Sequence, residues 1–283
     1  MRLLGLLLLT IAVTAVCQTH SSDQAEVSAN FIIPNPAPSA SLDAWRKEGH
    51  RTTISLDVDG VQLRGFRYEG SNPNQPAVLF FNGNGMTIDR SSPLYAELAK
   101  IGPTVYVYDY RGYGFSTGKP DLATFRTDGL RIFDTLVATI PNHRVVIYGY
   151  SMGTTVASYI ASQRSITALI LAAPIASAAE ELPVYGRLIG FDSKYLATHK
   201  PSQEAVEIFG EAELIKHSEA PLLVLHGTED FLIPLNQANE VVAASPSRQK
   251  ELFEVPAADH NQTVDVPDAL RAFRRFMEKL PSS

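Results

Sequence analysis

The sequence predicts an α/β fold: a mostly parallel sheet of about eight strands, helices on both faces, and a short inserted cap. Three observations predict it. Short apolar runs alternate with helix-like segments from about residue 50 to the C-terminus. Runs such as Ala77–Phe81 are apolar at every position, as a parallel strand covered on both faces requires. Gly149-Tyr150-Ser151-Met152-Gly153 stands between such a run and a helix-like segment, the setting of a sharp strand-to-helix turn with serine at its apex. With 283 residues, 45% of them apolar, the chain is the size of one large α/β domain with a substantial core.

The elements follow in order. Thr52–Val58 and Val61–Tyr68 read as strands joined by Asp59-Gly60, a pair that accepts the left-handed backbone of a tight hairpin. Ala77–Phe81 is the next strand, Pro93–Lys100 a helix, and Thr104–Tyr108 a strand. Asp121 caps a helix to about Thr139, with Phe125, Phe133, Leu136, Val137 and Ile140 near helical spacing. Arg144–Tyr148 is the strand before the turn, and Thr154–Gln163 the helix after it. Thr167–Ala172, Leu222–Leu225 and Glu251–Val255 supply the remaining strands. Residues 267–280 form a last amphipathic helix with Leu270, Phe273, Phe276, Met277 and Leu280 on one stripe. The long interruption at about 174–219, with a helical stretch Ser202–Ile208, reads as a cap over the strand ends. Residues 45–283 make up the whole domain.

The N-terminus reads differently. Met1-Arg2 precedes Leu3–Val16, an apolar stretch broken only by Gly5, Thr10 and Thr14. It falls short of the ~20 residues of a bilayer span and suits an export signal over residues 1–17. Cleavage could follow Ala15 or Cys17; alternatively Cys17 is acylated as in a lipoprotein, followed by the polar tether Gln18–Ser22, or the segment stays as an uncleaved anchor. Each reading places the domain outside the cytosol: periplasmic or lipid-anchored to a membrane through Cys17 if the source is bacterial, otherwise secreted. Residues 18–44, rich in Ser, Ala, Pro and Asn, read as a linker, with Phe31-Ile32-Ile33 pinned to the domain surface.

Composition excludes several classes. A net charge of −6 without a basic block argues against a nucleic-acid surface. The single cysteine excludes an intrachain disulfide and a cysteine-type metal site, and the seven histidines show no zinc spacing. Gly112-x-Gly114-x-x-x-Gly118 has the wrong spacing for a dinucleotide fingerprint, so it reads as a loop supporting the Ser151 turn, and no cofactor or metal is expected.

The chemistry centres on Ser151. A serine needs a base within hydrogen-bond reach and the base needs an orienting acid; in sheets of this type they follow in the order Ser, Asp or Glu, His. Asp230, in the loop after Leu222–Leu225, is favoured over Glu229 by its position relative to Pro234. His260 is the only histidine beyond it. His226, the other contender, precedes a glycine and reads as a turn residue, while His20, His50, His143, His199 and His217 read as surface residues. Acyl transfer also needs backbone N–H donors aimed at the developing oxyanion. Those of Met152, after the serine, and Asn84, in the Asn82-Gly83-Asn84-Gly85-Met86 loop, are the candidates.

Taken together, Phe81–Gly85, Asp109–Gly118, Gly149–Gly153, His226–Asp230 with Pro234, and His260-Asn261 resemble the α/β-hydrolase superfamily, specifically its serine-aminopeptidase/lysophospholipase-like branch, itself similar to protein-acyl thioesterases. The resemblance covers about 50–280. It implies a metal-free serine hydrolase acting on a small-molecule carboxylic ester or thioester through an acyl-enzyme. An aminopeptidase of the same branch and a non-catalytic binding protein on the same fold are the alternatives. Two positions depart from the pattern: Asn82 stands where histidine is common, and Asp259 where glycine is usual.

Overall fold

The computed structural model describes residues 25–29, 51–140 and 144–281. The expected export signal, Cys17, the Phe31–Ile33 contact, and His20, His50 and His143 lie outside the described residues. Among the described residues no helix is long and apolar enough to cross a membrane.

The chain runs through β1 (Ala25–Val27), β2 (Arg51–Val58), β3 (Val61–Tyr68), β4 (Ala77–Phe81), α1 (Ser92–Ile101), β5 (Val105–Tyr108), α2 (Leu122–Thr139), β6 (Val145–Tyr150), α3 (Met152–Gln163) and β7 (Ala168–Ala172). It continues through α4 (Ala178–Leu188), α5 (Ser193–Thr198), β8 (His199–Pro201), α6 (Gln203–Ile208), α7 (Glu211–Leu214), β9 (Leu222–Gly227), α8 (Leu235–Ala244), β10 (Lys250–Val255) and α9 (Pro267–Lys279). Eight strands form one sheet in the order β10-β9-β7-β6-β4-β5-β3-β2. From β10 to β5 every pairing is parallel; β3 joins antiparallel to β5, and β2 antiparallel to β3. The β2–β3 turn has Asp59 at φ 51° and Gly60 at φ 81°, two successive left-handed residues, as the twist of a two-residue hairpin demands.

Both faces of the sheet are covered because successive side chains of a buried strand point to opposite sides. On one face Phe80 packs against Tyr95 of α1 at 5.4 Å and Tyr148 of β6 at 4.7 Å, and Tyr148 stacks on Phe273 of α9 at 6.0 Å. On the other, Phe81 lies against Gly129 of α2, whose missing side chain also admits Val156 of α3. All five residues of β4 and all six of β6 are buried, so any slip of one residue would exchange the two layers.

Some elements differ from the sequence reading. Helix α8 begins after Pro234 and buries Gln237, Ala238 and Val241, too short an apolar face to announce itself. The excursion between β7 and β9 is mostly helical, and α4 runs through Pro183. Within the segment read as a linker, Ala25–Val27 pairs in parallel with His199–Pro201 of the excursion.

Parallel strands carry their function at their C-terminal ends. Here the ends of β4, β6, β7, β9 and β10 lie on one edge. From it emerge the 82–86 loop, Ser151, the 174–219 excursion, the loop with Asp230 and the segment with His260.

Candidate active site

Ser151 occupies the apex between β6 and α3 with φ 52° and ψ −124°, a left-handed backbone that L-residues adopt at a cost. The turn is held from outside: the Ser151 N–H donates to the Ala172 carbonyl at 2.8 Å, and its carbonyl accepts from the Thr154 N–H at 2.8 Å. Glycine on either side is a steric requirement. A Cβ on Gly149 would lie 2.5 Å from the Gly153 carbonyl oxygen, and one on Gly153 would lie 2.2 Å from the Phe81 carbonyl oxygen. That second contact also brings the first turn of α3, with Met152, against the start of the 82–86 loop.

Three side chains distant in sequence meet at this apex. His260 Nε2 lies 2.9 Å from Ser151 Oγ, and His260 Nδ1 lies 2.7 Å from Asp230 Oδ2. Asp230 is buried and its other oxygen, Oδ1, accepts the N–H groups of Leu232 and Ile233, each at 2.9 Å. Glu229, the rival acid, is exposed. The imidazole is braced as well: the Tyr150 hydroxyl donates to the His260 carbonyl at 2.8 Å, and the two rings lie 5.4 Å apart.

His226 is not a turn residue, and this corrects the sequence reading. It lies within β9, fully buried, pairing with Glu254 of β10. Its Nε2 donates to the Ile233 carbonyl at 2.8 Å, tying down the same loop whose N–H groups hold Asp230. Its Nδ1 is buried without a partner, so the ring carries its proton on Nε2; burial lowers its pKa and keeps it neutral. Of the histidines read as surface residues, His217 is exposed, whereas His199 is half-buried and stacks on Tyr195 at 3.6 Å.

The 82–86 loop is fixed by aromatic hydroxyls. Tyr110 donates to the Asn82 carbonyl at 2.8 Å, Tyr95 to Asn82 Oδ1 at 2.6 Å, and Tyr113 to Asn84 Oδ1 at 2.8 Å. The glycine-containing 109–118 segment thus supports this loop rather than the Ser151 turn itself. Asp109 organises that segment by accepting the N–H groups of Ile88 and Phe115, each at 2.9 Å. Asn82 is fully buried, and its Nδ2 has no partner. Asp259 acts as a cap: its carboxylate accepts the Gln262 N–H at 3.0 Å while the Gln262 side chain accepts the Asp259 N–H at 3.1 Å, fixing the turn that carries His260.

Sequence reasoning missed three buried acids. Burial raises Asp109 to about 7, and Glu181 and Glu211 each to about 8. Glu181 accepts from Gln237 Nε2 at 2.7 Å, and Gln237 Oε1 in turn accepts the Ala176 N–H at 3.0 Å. A carboxyl whose folded pKa exceeds its unfolded one binds more protons in the native state, so its contribution to stability falls as pH rises between the two values. The urea midpoint is therefore expected to fall as pH rises from 4.5 to about 8, and Glu181→Gln to make that decline shallower. A midpoint independent of pH across this window would contradict the burial of these groups as acids.

Among the described residues no group of three or more His, Cys, Asp or Glu is placed to hold a metal ion. Residues 76–204 match the family described as alpha/beta hydrolase fold. An uncharacterized protein of Mycobacterium tuberculosis, Rv2307c, is 31% identical over 254 residues, covering 87% of this chain and 85% of that protein. The chain belongs to the α/β-hydrolase superfamily. Within it, the chain is 30% identical over 228 residues to a rat lysophosphatidylserine lipase, ABHD12, across 73% of its own length. It spans about half, 56%, of that curated relative. Among solved α/β hydrolases, the Pyrococcus furiosus esterase Pf2001 superposes with a TM-score of 0.67 at 18% identity, over 87% of this chain and 99% of that one. A soluble variant of Saccharomyces cerevisiae monoglyceride lipase gives 0.64 at 16% identity, over 84% and 97%. These two likenesses concern the fold.

Proposed function

We propose that this protein is a serine hydrolase that cleaves carboxylic esters through an acyl-enzyme. The observation that carries the reading is the continuous chain Ser151 Oγ, His260, Asp230, with contacts of 2.9 and 2.7 Å. His260 takes the proton of Ser151 as Oγ attacks the acyl carbon, and Asp230 holds the imidazole in the tautomer with Nε2 free to accept it. The N–H groups of Met152 and Asn84 stabilise the oxyanion. The alcohol leaves with the proton from His260; water, deprotonated by the same imidazole, then releases the carboxylic acid and restores Ser151. A thioester would follow the same course with a thiol as leaving group.

The substrate class rests on two supports. The named relatives include a lysophosphatidylserine lipase, and Phe231, the residue after Asp230, is an exposed large apolar residue, 80% accessible. Esters with one acyl chain on a polar alcohol, of the lysophospholipid type, are the first to test, with the 174–219 excursion serving as a cap that sets acyl length. Export, with attachment through a lipidated Cys17, would bring the enzyme to such substrates.

A fluorophosphonate probe tests the reaction class: covalent labelling at Ser151, blocked by prior incubation with an ester inhibitor, is expected. A panel of p-nitrophenyl esters, lysophospholipids, monoacylglycerols, thioesters and aminoacyl amides, compared by kcat/KM, tests the substrate. Esters with a long single chain should exceed amides by orders of magnitude. A protein inert to the probe would be a binding module on the same fold, and preference for aminoacyl amides would make it a peptidase.

A further inference from the structure

The geometry points to Glu211 as a positioning residue: held as a neutral carboxylic acid, it acts through Thr154 to orient the Ser151–Met152 peptide and so the Met152 N–H. This inference rests on the serine-hydrolase reading, in which that N–H faces the oxyanion.

The argument is a proton count. Thr154 Oγ1 lies 2.5 Å from the Ser151 carbonyl oxygen and 2.6 Å from Glu211 Oε1. A hydroxyl has one proton to give. The carbonyl can only accept, so if Thr154 donates to Glu211, two bare oxygens face each other at 2.5 Å. If Thr154 donates to the carbonyl, the contact with Glu211 needs a proton from the acid. Only a protonated Glu211 satisfies both contacts: Glu211 donates to Thr154, and Thr154 donates to the Ser151 carbonyl. Two further bonds favour the carboxylate, and burial outweighs them. Glu211 Oε1 accepts the Ile175 N–H at 3.1 Å, and Oε2 accepts from the Ser158 hydroxyl at 3.3 Å.

The surroundings favour the neutral form. Glu211, Thr154 and Ser158 are all fully buried. Helix α3, on which the acid packs, carries no charged residue. The cation whose field reaches it, Arg126 of α2, is turned elsewhere: its guanidinium lies 4.0 Å over the Tyr159 ring and donates to the Glu207 carbonyl at 2.9 Å. On α7 and the turn after it, Glu213 pairs with Lys216 at 2.6 Å and His217 is exposed; Glu240 of α8 is exposed too. Burial raises the acid to about 8.

The consequence lies in the peptide plane. The Ser151 carbonyl and the Met152 N–H belong to one planar unit and point in opposite directions. Ser151 sits in a backbone conformation it does not favour, so the direction of that plane must be imposed. The Ser151 N–H is pinned by Ala172, and its carbonyl by two donors of Thr154. Donation to a carbonyl also polarises the amide and makes its N–H a better donor. Glu211 touches none of the reacting groups, and its effect reaches them only through Thr154.

Infrared difference spectroscopy and kinetics together provide the test. In mildly acidic buffer the wild type should show a protonated-carboxyl C=O band that Glu211→Gln lacks. Thr154→Val should lower kcat and the rate of phosphonylation roughly tenfold with KM nearly unchanged, because the interaction acts on the transition state. Thr154→Ser, which keeps the hydroxyl, should recover most of that rate. Wild-type kcat should fall as pH passes about 8, a limb missing in Thr154→Val. The proposal is overturned by identical protonated-carboxyl bands in wild type and Glu211→Gln, or by wild-type kcat in Thr154→Val. If Thr154→Val does not fold, the band and the alkaline limb of the wild type decide alone. A wild type inert to fluorophosphonate removes the serine-hydrolase reading and the proposal with it; one that is labelled while Thr154→Val reacts just as fast removes the proposal only.

Discussion

Ser151→Ala is expected to lower ester turnover by ~10⁶ while leaving the fold intact. In the proposed reaction the hydroxyl oxygen is the atom that bonds to the acyl carbon. Alanine accepts the backbone at φ 52° no less readily than serine, and the contacts that hold the turn, from Ala172 and Thr154, involve only main-chain atoms of Ser151. His260, whose side chain is 12% exposed, keeps its bond to Asp230 and can turn Nε2 to water. The variant should therefore match the wild type in circular dichroism and nearly match its urea midpoint. It should bind a substrate analogue with similar affinity, and lose covalent reaction with fluorophosphonate. A residual rate above background would reflect the remaining backbone donors and the bound geometry. A variant that hydrolyses p-nitrophenyl esters at a rate comparable to the wild type would show that the reaction proceeds elsewhere.

The framework of this site was legible because its constraints are local. Gly149 and Gly153 are dictated by contacts under 3 Å that no side chain could survive, and such a requirement shows in the residue itself. The strands of the sheet were legible because burial on both faces leaves no room for polar residues, as in Leu169–Leu171 and Leu222–Leu225. Chain order then selected Asp230 and His260, and the structure brings both to Ser151. What escaped the sequence depends on distant partners. Glu211 stands in Gly-Glu-Ala-Glu, where no local pattern marks it as buried; its burial follows from packing on α3, more than fifty residues away in sequence. Glu181 is hidden in the same way by Gln237. His226 was misread because the glycine after it suggests a turn, yet β9 continues through that glycine, paired with Val255. The β1–β8 pairing joins two short segments, one of them ending in Pro201, with no alternation to mark them.

Asp230→Asn should lower kcat by ~10⁴, through the wrong imidazole tautomer rather than through lost structure. The surroundings of this side chain dictate the outcome. Asp230 Oδ1 accepts two backbone N–H groups, from Leu232 and Ile233, and an asparagine must place its carbonyl oxygen there to keep them paired. The opposite orientation would set an NH₂ group against two N–H donors in a buried site, leaving both without acceptors. The NH₂ group is thereby forced toward His260 Nδ1, where Asp230 Oδ2 now lies at 2.7 Å. It donates to Nδ1, so the imidazole carries its proton on Nε2 and presents Ser151 with a donor instead of a base. His226 cannot relieve this, because its Nε2 proton is committed to the Ile233 carbonyl. The variant should fold, bind substrate analogues and react slowly with fluorophosphonate. Asp230→Ala leaves Leu232 and Ile233 without their acceptor and should in addition lower the urea midpoint. If Asp230→Asn kept the wild-type rate, the orientation of His260 would have to be set by another group, and Asp230 would serve only to hold its loop.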